Sequence, residues 1–345
     1  MADLADQIRL LIRLDASHRT GLGHAARVAG LLQHITVPLD IHICGAGDQL
    51  GLLFDDEVTL HRMGEDSPAD FLEIARKIHA DILLIDQPGQ NRESWQAYAD
   101  SPFPVVAIDD YGGPVQAELI FNGTVLDDYH HYPLLCGKSR VFCGAAYALL
   151  NPLFGEVAHH AAADKSLAII IGGGDRAGQW ANLLTGDQSP FLQSGCDRIT
   201  MVVGGTFADV KDLQKKCKKL HIDLLQNIRQ AQLARILSRH AMALMTGGMI
   251  VYEALASGCP AIIFPQERNL VREAEWFAKK NAVVNLGYDG GMDMKQVGME
   301  INRLCNGAAD LPVPAAAGID GRGMIRVAAE VNKFLRGLLS GRLDP

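Results

Sequence analysis

The sequence contains no Cys-x-x-Cys pair, no Gly-x-Ser-x-Gly elbow, no Asp-x-Asp and no apolar run long enough to cross a membrane. Each absence removes a class. Seven cysteines, an odd number without paired spacing, argue against a disulfide framework or a structural zinc site and fit a reduced cytoplasm. Without the elbow, one class of serine hydrolases is excluded. Without Asp-x-Asp there is no evident carrier for a divalent cation. The twelve histidines are scattered or adjacent, as in His130-His131, a spacing that does not put two on one helix face. No metal and no cofactor are therefore expected. Basic residues are in the minority, 32 Lys plus Arg against 40 Asp plus Glu for a formal net charge of −8, which disfavours a nucleic-acid partner. The one basic run, Lys211 to Lys219, reads as a solvated helix face. The opening Met-Ala-Asp-Leu-Ala-Asp is acidic where a secretory leader is basic, so a cytoplasmic protein without an integral membrane segment is expected.

What is present is enough apolar material for two cores. A chain of 345 residues that is 48% hydrophobic exceeds the size at which single cores split. Apolar runs alternate with helical segments, the pattern of a doubly wound α/β architecture. Residues 151–165 carry Pro152, Gly155, His159-His160 and an alanine cluster, and read as a linker between a domain over 1–150 and a second over 166–345.

The apolar run Ile8 to Leu14 reads as a strand and Ala25 to Gln33 as a helix, with Gly21-Leu-Gly23-His24 between them. Glycines there allow a ligand close approach, and the helix start offers free N–H groups to anions. Imidazole titrates near neutrality, so His24 is placed to act as base or acid; a plain surface histidine fits the same spacing. A similar order recurs later. Ala241 to Met245 reads as a strand, Thr246-Gly247-Gly248-Met249-Ile250 as a turn, and Val251 to Ser257 as a helix ended by Gly258. The glycine pair can cradle a diphosphate, and Glu253, one turn in, can accept hydrogen bonds from two ribose hydroxyls. Taken alone, the same residues fit a tight turn and a solvated helix charge.

In series these segments resemble the UDP-sugar hydrolases of pseudaminic acid biosynthesis, two-domain enzymes related in fold to MurG-type glycosyltransferases. The resemblance runs through Arg13, Asp15, Ser17, Gly21, Gly23, His24 and Arg27, the strand ending at Asp86, and the strand ending at Asp109-Asp110. It continues through Cys143-Gly144-Ala-Ala-Tyr147-Ala-Leu, Gly172-Gly173-Gly174-Asp175, Glu253-Ala-Leu with Asn269, and Asp320-Gly-Arg-Gly-x-x-Arg326. It implies two Rossmann-like domains in a GT-B-like arrangement with the active site in the interdomain cleft, and a terminal helix, about Arg322 to Leu339, that crosses back to the first domain. His24 would be the catalytic base. Asp15, Gly21, Gly23, Arg27, Asp86, Asp109, Tyr147 and Asn269 would bind substrate; Gly172, Gly173, Gly174, Gly247, Gly248, Met249, Ile250 and Glu253 would bind nucleotide.

The implied reaction is metal-independent hydrolysis, by a monomer, of a UDP-linked diacetamido-trideoxy-altrose, with a UDP-sugar and water as partners. An inverting glycosyltransferase needs the same base and leaving-group cradle, and a binding module would use the second loop alone. The chain departs from the family pattern at Gln87-Pro88, where a histidine and a tyrosine are usual, and at Leu270, where an amide is usual. Fewer polar sugar contacts are expected there, and with them altered sugar selectivity.

Overall fold

The computed structural model describes residues 7–15, 23–45, 50–54, 58–63, 67–132, 139–159, 165–171, 177–187, 189–193, 195–205, 207, 209–265, 268–288, 294–307 and 311–343. The chain forms two compact units, one of Met1–Leu149 with Arg322–Pro345 and the other of Leu150–Gly321.

The first unit is a seven-stranded parallel sheet. Its strands are β1 (Ile8–Leu14), β2 (Leu39–Gly45), β3 (Thr59–Arg62), β4 (Ile82–Asp86), β5 (Val105–Ile108), β6 (Leu119–Asn122) and β7 (Arg140–Cys143). They lie in the order β3-β2-β1-β4-β5-β6-β7. The helices are α1 (Gly23–Leu32), α2 (Pro68–Lys77) and α3 (Arg92–Ala99). Side chains alternate across a strand, so β1 sends Ile8, Leu10, Ile12 and Leu14 to one face and Leu11 to the other. Both faces are covered, which explains why β1 reads as a nearly continuous apolar run. Helix α2 starts where Ser67 accepts a hydrogen bond from the Asp70 N–H and Pro68 stands in the first turn. It ends with Arg76 and Lys77 at the negative pole of its dipole.

The second unit holds α4 (Leu153–Glu156), β8 (Ser166–Ile171), α5 (Ala177–Thr185), β9 (Arg198–Val203), α6 (Val210–Lys219), β10 (Ile222–Gln226) and α7 (Gln230–Arg239). Then follow β11 (Met242–Met245), α8 (Met249–Ala256), β12 (Ala261–Ile263), α9 (Arg268–Lys279), β13 (Val283–Asn285) and α10 (Met294–Asn306). Its six parallel strands run β10-β9-β8-β11-β12-β13. The lysine-rich segment forms α6, anchored by buried Leu213 and Cys217 with its lysines outward.

Helix α11 (Gly323–Leu343) follows the second unit in sequence yet packs on the first. Met324, Val327, Ala328, Val331 and Leu335 join the core formed by β1 and α1. Asn332 bonds the chain after α1 at both ends of its amide, accepting from the Thr36 N–H at 2.8 Å and donating to the His34 carbonyl at 3.0 Å. Gly323 comes so close to Ala148 that a Cβ would stand 2.1 Å from its carbonyl oxygen. The part of 151–165 that is described is not a free tether. Phe154 in α4 is fully buried, and Gly155 packs against the backbone of Asp320 within the second unit.

Candidate functional site

In each sheet the strand order reverses beside the first strand, and ligands of doubly wound folds bind beyond the carboxyl ends of the strands at that point. In the first unit the reversal lies between β1 and β4, where Leu14 is paired with Asp86. Helix α1 begins there with Gly23 and His24.

His24 and Arg27 lie three residues apart on α1 and so share a face. Both reach Asp86, which is fully buried. Nδ1 of His24 lies 2.7 Å from Asp86 Oδ1. Arg27 donates from Nε to Asp86 Oδ2 at 2.7 Å and from Nη2 to Oδ1 at 2.5 Å. Its other edge grips Asp110, from Nη1 at 2.8 Å and Nη2 at 3.0 Å. Burial pushes the Asp86 carboxyl up, but the Arg27 guanidinium and the His24 hydrogen bond outweigh it and hold Asp86 below the usual carboxylate range. For Arg27, burial is outweighed in the same way by Asp110 and Asp86, so the cation is secured. An ionised Asp86 accepts only, so His24 donates Nδ1–H to it. The ring lone pair is then on Nε2.

Asp15 follows β1 and is held by Arg13 Nη1 at 2.9 Å and by Gln87 Nε2 at 3.0 Å. Gln87, standing where the resembled family has a histidine, is thus part of this end of the sheet. Its Oε1 is buried without a hydrogen-bond partner among the described residues.

Asp109 and Asp110 divide the work differently from the sequence reading. The Asp109 carboxylate is held by its own loop and by the β6–β7 connection: Oδ2 accepts from Gly112 N at 2.6 Å and Tyr111 N at 3.2 Å, and from Tyr132 Oη at 2.8 Å. Asp110 is the one joined to Arg27. The sequence singled out Asp109 because it directly follows β5; the turn just beyond the strand reverses which carboxylate faces α1. Tyr147 lies beyond β7, three strands from β4, with its ring tilted against Phe142 at 5.4 Å. No hydrogen bond or ring contact joins it to His24 among the described residues. Gly21 and Gly172 to Gly174 lie outside the described residues, as does the side chain of Asn269 on α9.

The second unit's reversal lies between β8 and β11. After β11 the chain turns at Gly247 (φ 112°) and Gly248 (φ 81°), both in the left-handed region, and Met249 and Ile250 open α8. At Gly247 a Cβ would also meet Leu270 at 3.0 Å, so the aliphatic side chain lies directly over the turn. Glu253 stands on α8, half-buried, with no side-chain hydrogen bond among the described residues. Burial pushes its carboxyl up to about 8. The folded protein therefore binds a proton there that the unfolded chain releases from about pH 4.5 upward, and stability falls as pH rises toward 8. Relative to the parent, Glu253→Gln gains stability across that window, by up to about 1.4 kcal/mol per pH unit. Urea titrations at several pH values check this, and a difference independent of pH would refute it.

Two parallel, doubly wound α/β units, with the last helix packed on the first, define a GT-B-type fold. The comparisons with known proteins agree. No family model matches the chain. A relative, the spore coat polysaccharide biosynthesis protein SpsG of Bacillus subtilis (strain 168), is 22% identical over 330 residues, 91% of this chain and 95% of the relative. Among solved structures, Acinetobacter baumannii MurG is similar with a TM-score of 0.62 at 12% identity, covering 94% of this chain and 99% of that one. The spinosyn rhamnosyltransferase SpnG is similar at 0.61 and 14% identity, covering 95% of this chain and all of that one. Likeness at these identities shows the fold. Among the described residues no helix is long and apolar enough to cross a membrane.

Proposed function

We propose that the chain hydrolyses a UDP-activated amino sugar, releasing UDP and the free sugar with inversion at the anomeric carbon. The observation that carries this reading is the Asp86–His24 pair at the helix start, which leaves Nε2 as a base. Nε2 takes a proton from water as the water oxygen attacks the anomeric carbon, and the bond from that carbon to the diphosphate oxygen breaks. The turn at Gly247-Gly248 and the start of α8 receive the departing diphosphate, with backbone N–H groups meeting its charge. Glu253 accepts from the ribose hydroxyls. The resemblance of the sequence motifs implies UDP-2,4-diacetamido-2,4,6-trideoxy-β-L-altropyranose or a close relative as substrate, and similarity to SpsG, a spore coat polysaccharide biosynthesis protein, supports a place in polysaccharide biosynthesis.

An inverting glycosyltransferase is the second reading, favoured by the same fold in a rhamnosyltransferase. There His24 activates an acceptor hydroxyl instead of water. The test is incubation with UDP-sugars, a chelator and no acceptor. Free UDP with free sugar is the expected result; release only on adding an acceptor would move the assignment to the transferase, and activity restored by magnesium would overturn the leaving-group chemistry.

The nucleotide role of Glu253 has its own test. Glu253→Ala weakens UDP binding by about 1.5–3 kcal/mol, the scale of hydrogen bonds to a charged group. In the parent the carboxyl must ionise to accept from two hydroxyls, so UDP binding releases a proton near neutral pH and tightens toward pH 8. Calorimetry in buffers of different ionisation enthalpy reads both effects. Unchanged affinity in a folded variant would return Glu253 to a structural role.

A further inference from the structure

Six cysteines lie among the described residues, and two of them meet. Cys196, in the segment entering β9, and Cys305, in the last turn of α10, hold their Sγ atoms 3.0 Å apart. Both are half-buried at the rim of the second unit's core, so small reagents reach them, whereas Cys44, Cys217 and Cys259 are buried. The approach is built by the neighbouring chain. Gly195 takes φ 64°, with its Cα so close to α10 that a Cβ would stand 2.7 Å from Asn302 Oδ1. Lys165 donates to Asn306 at 2.6 Å, tying the start of β8 to the same helix end.

From this geometry we infer that Cys196 and Cys305 are a reversible dithiol–disulfide site that responds to peroxide. The inference does not depend on the proposed reaction. The hydrogen bond to Cys196, with burial, pushes the Cys305 thiol up, so Cys305 holds its proton and the sequence begins with loss of the Cys196 proton to solvent. The Cys196 thiolate attacks one oxygen of hydrogen peroxide; the S–O bond forms, the O–O bond breaks, and the departing hydroxide takes a proton to leave as water. Cys196 is then a sulfenic acid, oxidised by two electrons. Cys305 Sγ loses its proton as it attacks that sulfur. The S–S bond forms, the S–O bond breaks, and a second water leaves. Two thiols and one peroxide give one disulfide and two waters, and a dithiol reductant reverses the change.

The bond joins positions far apart in sequence, so it removes much freedom from the unfolded chain and raises the melting temperature of the second unit, on the order of 10 °C. It lies at the amino end of β9, at the opposite end of the parallel strands from Gly247, which follows β11.

The experiment is peroxide treatment of the reduced, full-length protein, followed by alkylation, digestion and mass spectrometry. A Cys196–Cys305 linked peptide, lighter by two hydrogens and lost on adding dithiothreitol, is expected, with Cys44, Cys217 and Cys259 unmodified by peroxide. In Cys305→Ser, peroxide leaves a sulfenic acid on Cys196 that dimedone traps, and no internal bond. Two cysteines that remain free to alkylate after peroxide, sulfinic acid without a linked peptide, or a bond formed only between chains would overturn the inference. The parent protein decides this even if the variant fails to fold.

Discussion

His24→Ala lowers turnover about 10²–10⁴-fold, the usual worth of a positioned general base, while UDP affinity changes little. The reason is the division of labour. His24 owes its position to α1 and its tautomer to Asp86 at 2.7 Å, both in the first unit, whereas the glycine turn and Glu253 belong to the second. The loss therefore falls on kcat rather than on nucleotide binding. Steady-state kinetics on a UDP-sugar alongside UDP calorimetry separate the two. Equal turnover in variant and parent would remove His24 from the chemistry and favour a nucleotide-sugar-binding module.

Asp86→Ala costs about 3–5 kcal/mol of stability, the range seen when one partner of a buried ion pair is removed. Arg27 would keep only the half-exposed Asp110 against a buried guanidinium, and His24 would lose the acceptor that sets its tautomer. The pH dependence follows in sign. The folded protein holds the Asp86 carboxyl below its unfolded value, so this contribution is complete above about pH 4 and disappears as pH falls through the folded value. Asp86→Asn, of nearly the same shape, should lack that acid-side loss and lose turnover as well. Urea midpoints of the parent and both variants, taken from pH 7 down to acid, give the measurement. A stability cost under about 1 kcal/mol for Asp86→Ala would show that Asp110 alone neutralises Arg27.

The local placement of some candidate residues was legible because its signals are local. The strand, glycine and histidine order around His24 depends on neighbours in sequence, as do the two positive-φ glycines before α8. Asp110 was visible as one of a pair, but only the turn after β5 separates a carboxylate facing its own loop from one facing Arg27. Gln87 read as a missing histidine; in the fold it is a buried amide bonded to Asp15. Cys196 and Cys305 carry no spacing signal, since their contact is made by a loop and a helix end brought together by the second core.

Apolar runs alternating with helical segments determined, from the sequence alone, that this is a doubly wound α/β chain, that Ile8 to Leu14 is a strand, and that His24 lies between it and a helix start. Those properties are set by side-chain patterns a few residues long. The tertiary structure alone decided that Arg27 bridges Asp86 and Asp110, 59 and 83 residues away, and which side chains of α11 enter the first core. The physical reason is the order of the strands. Parallel pairing of β1 with β4 on one side and with its sequence neighbour β2 on the other fixes which carboxyl ends meet, and the apolar face left on the first sheet fixes where the last helix is buried.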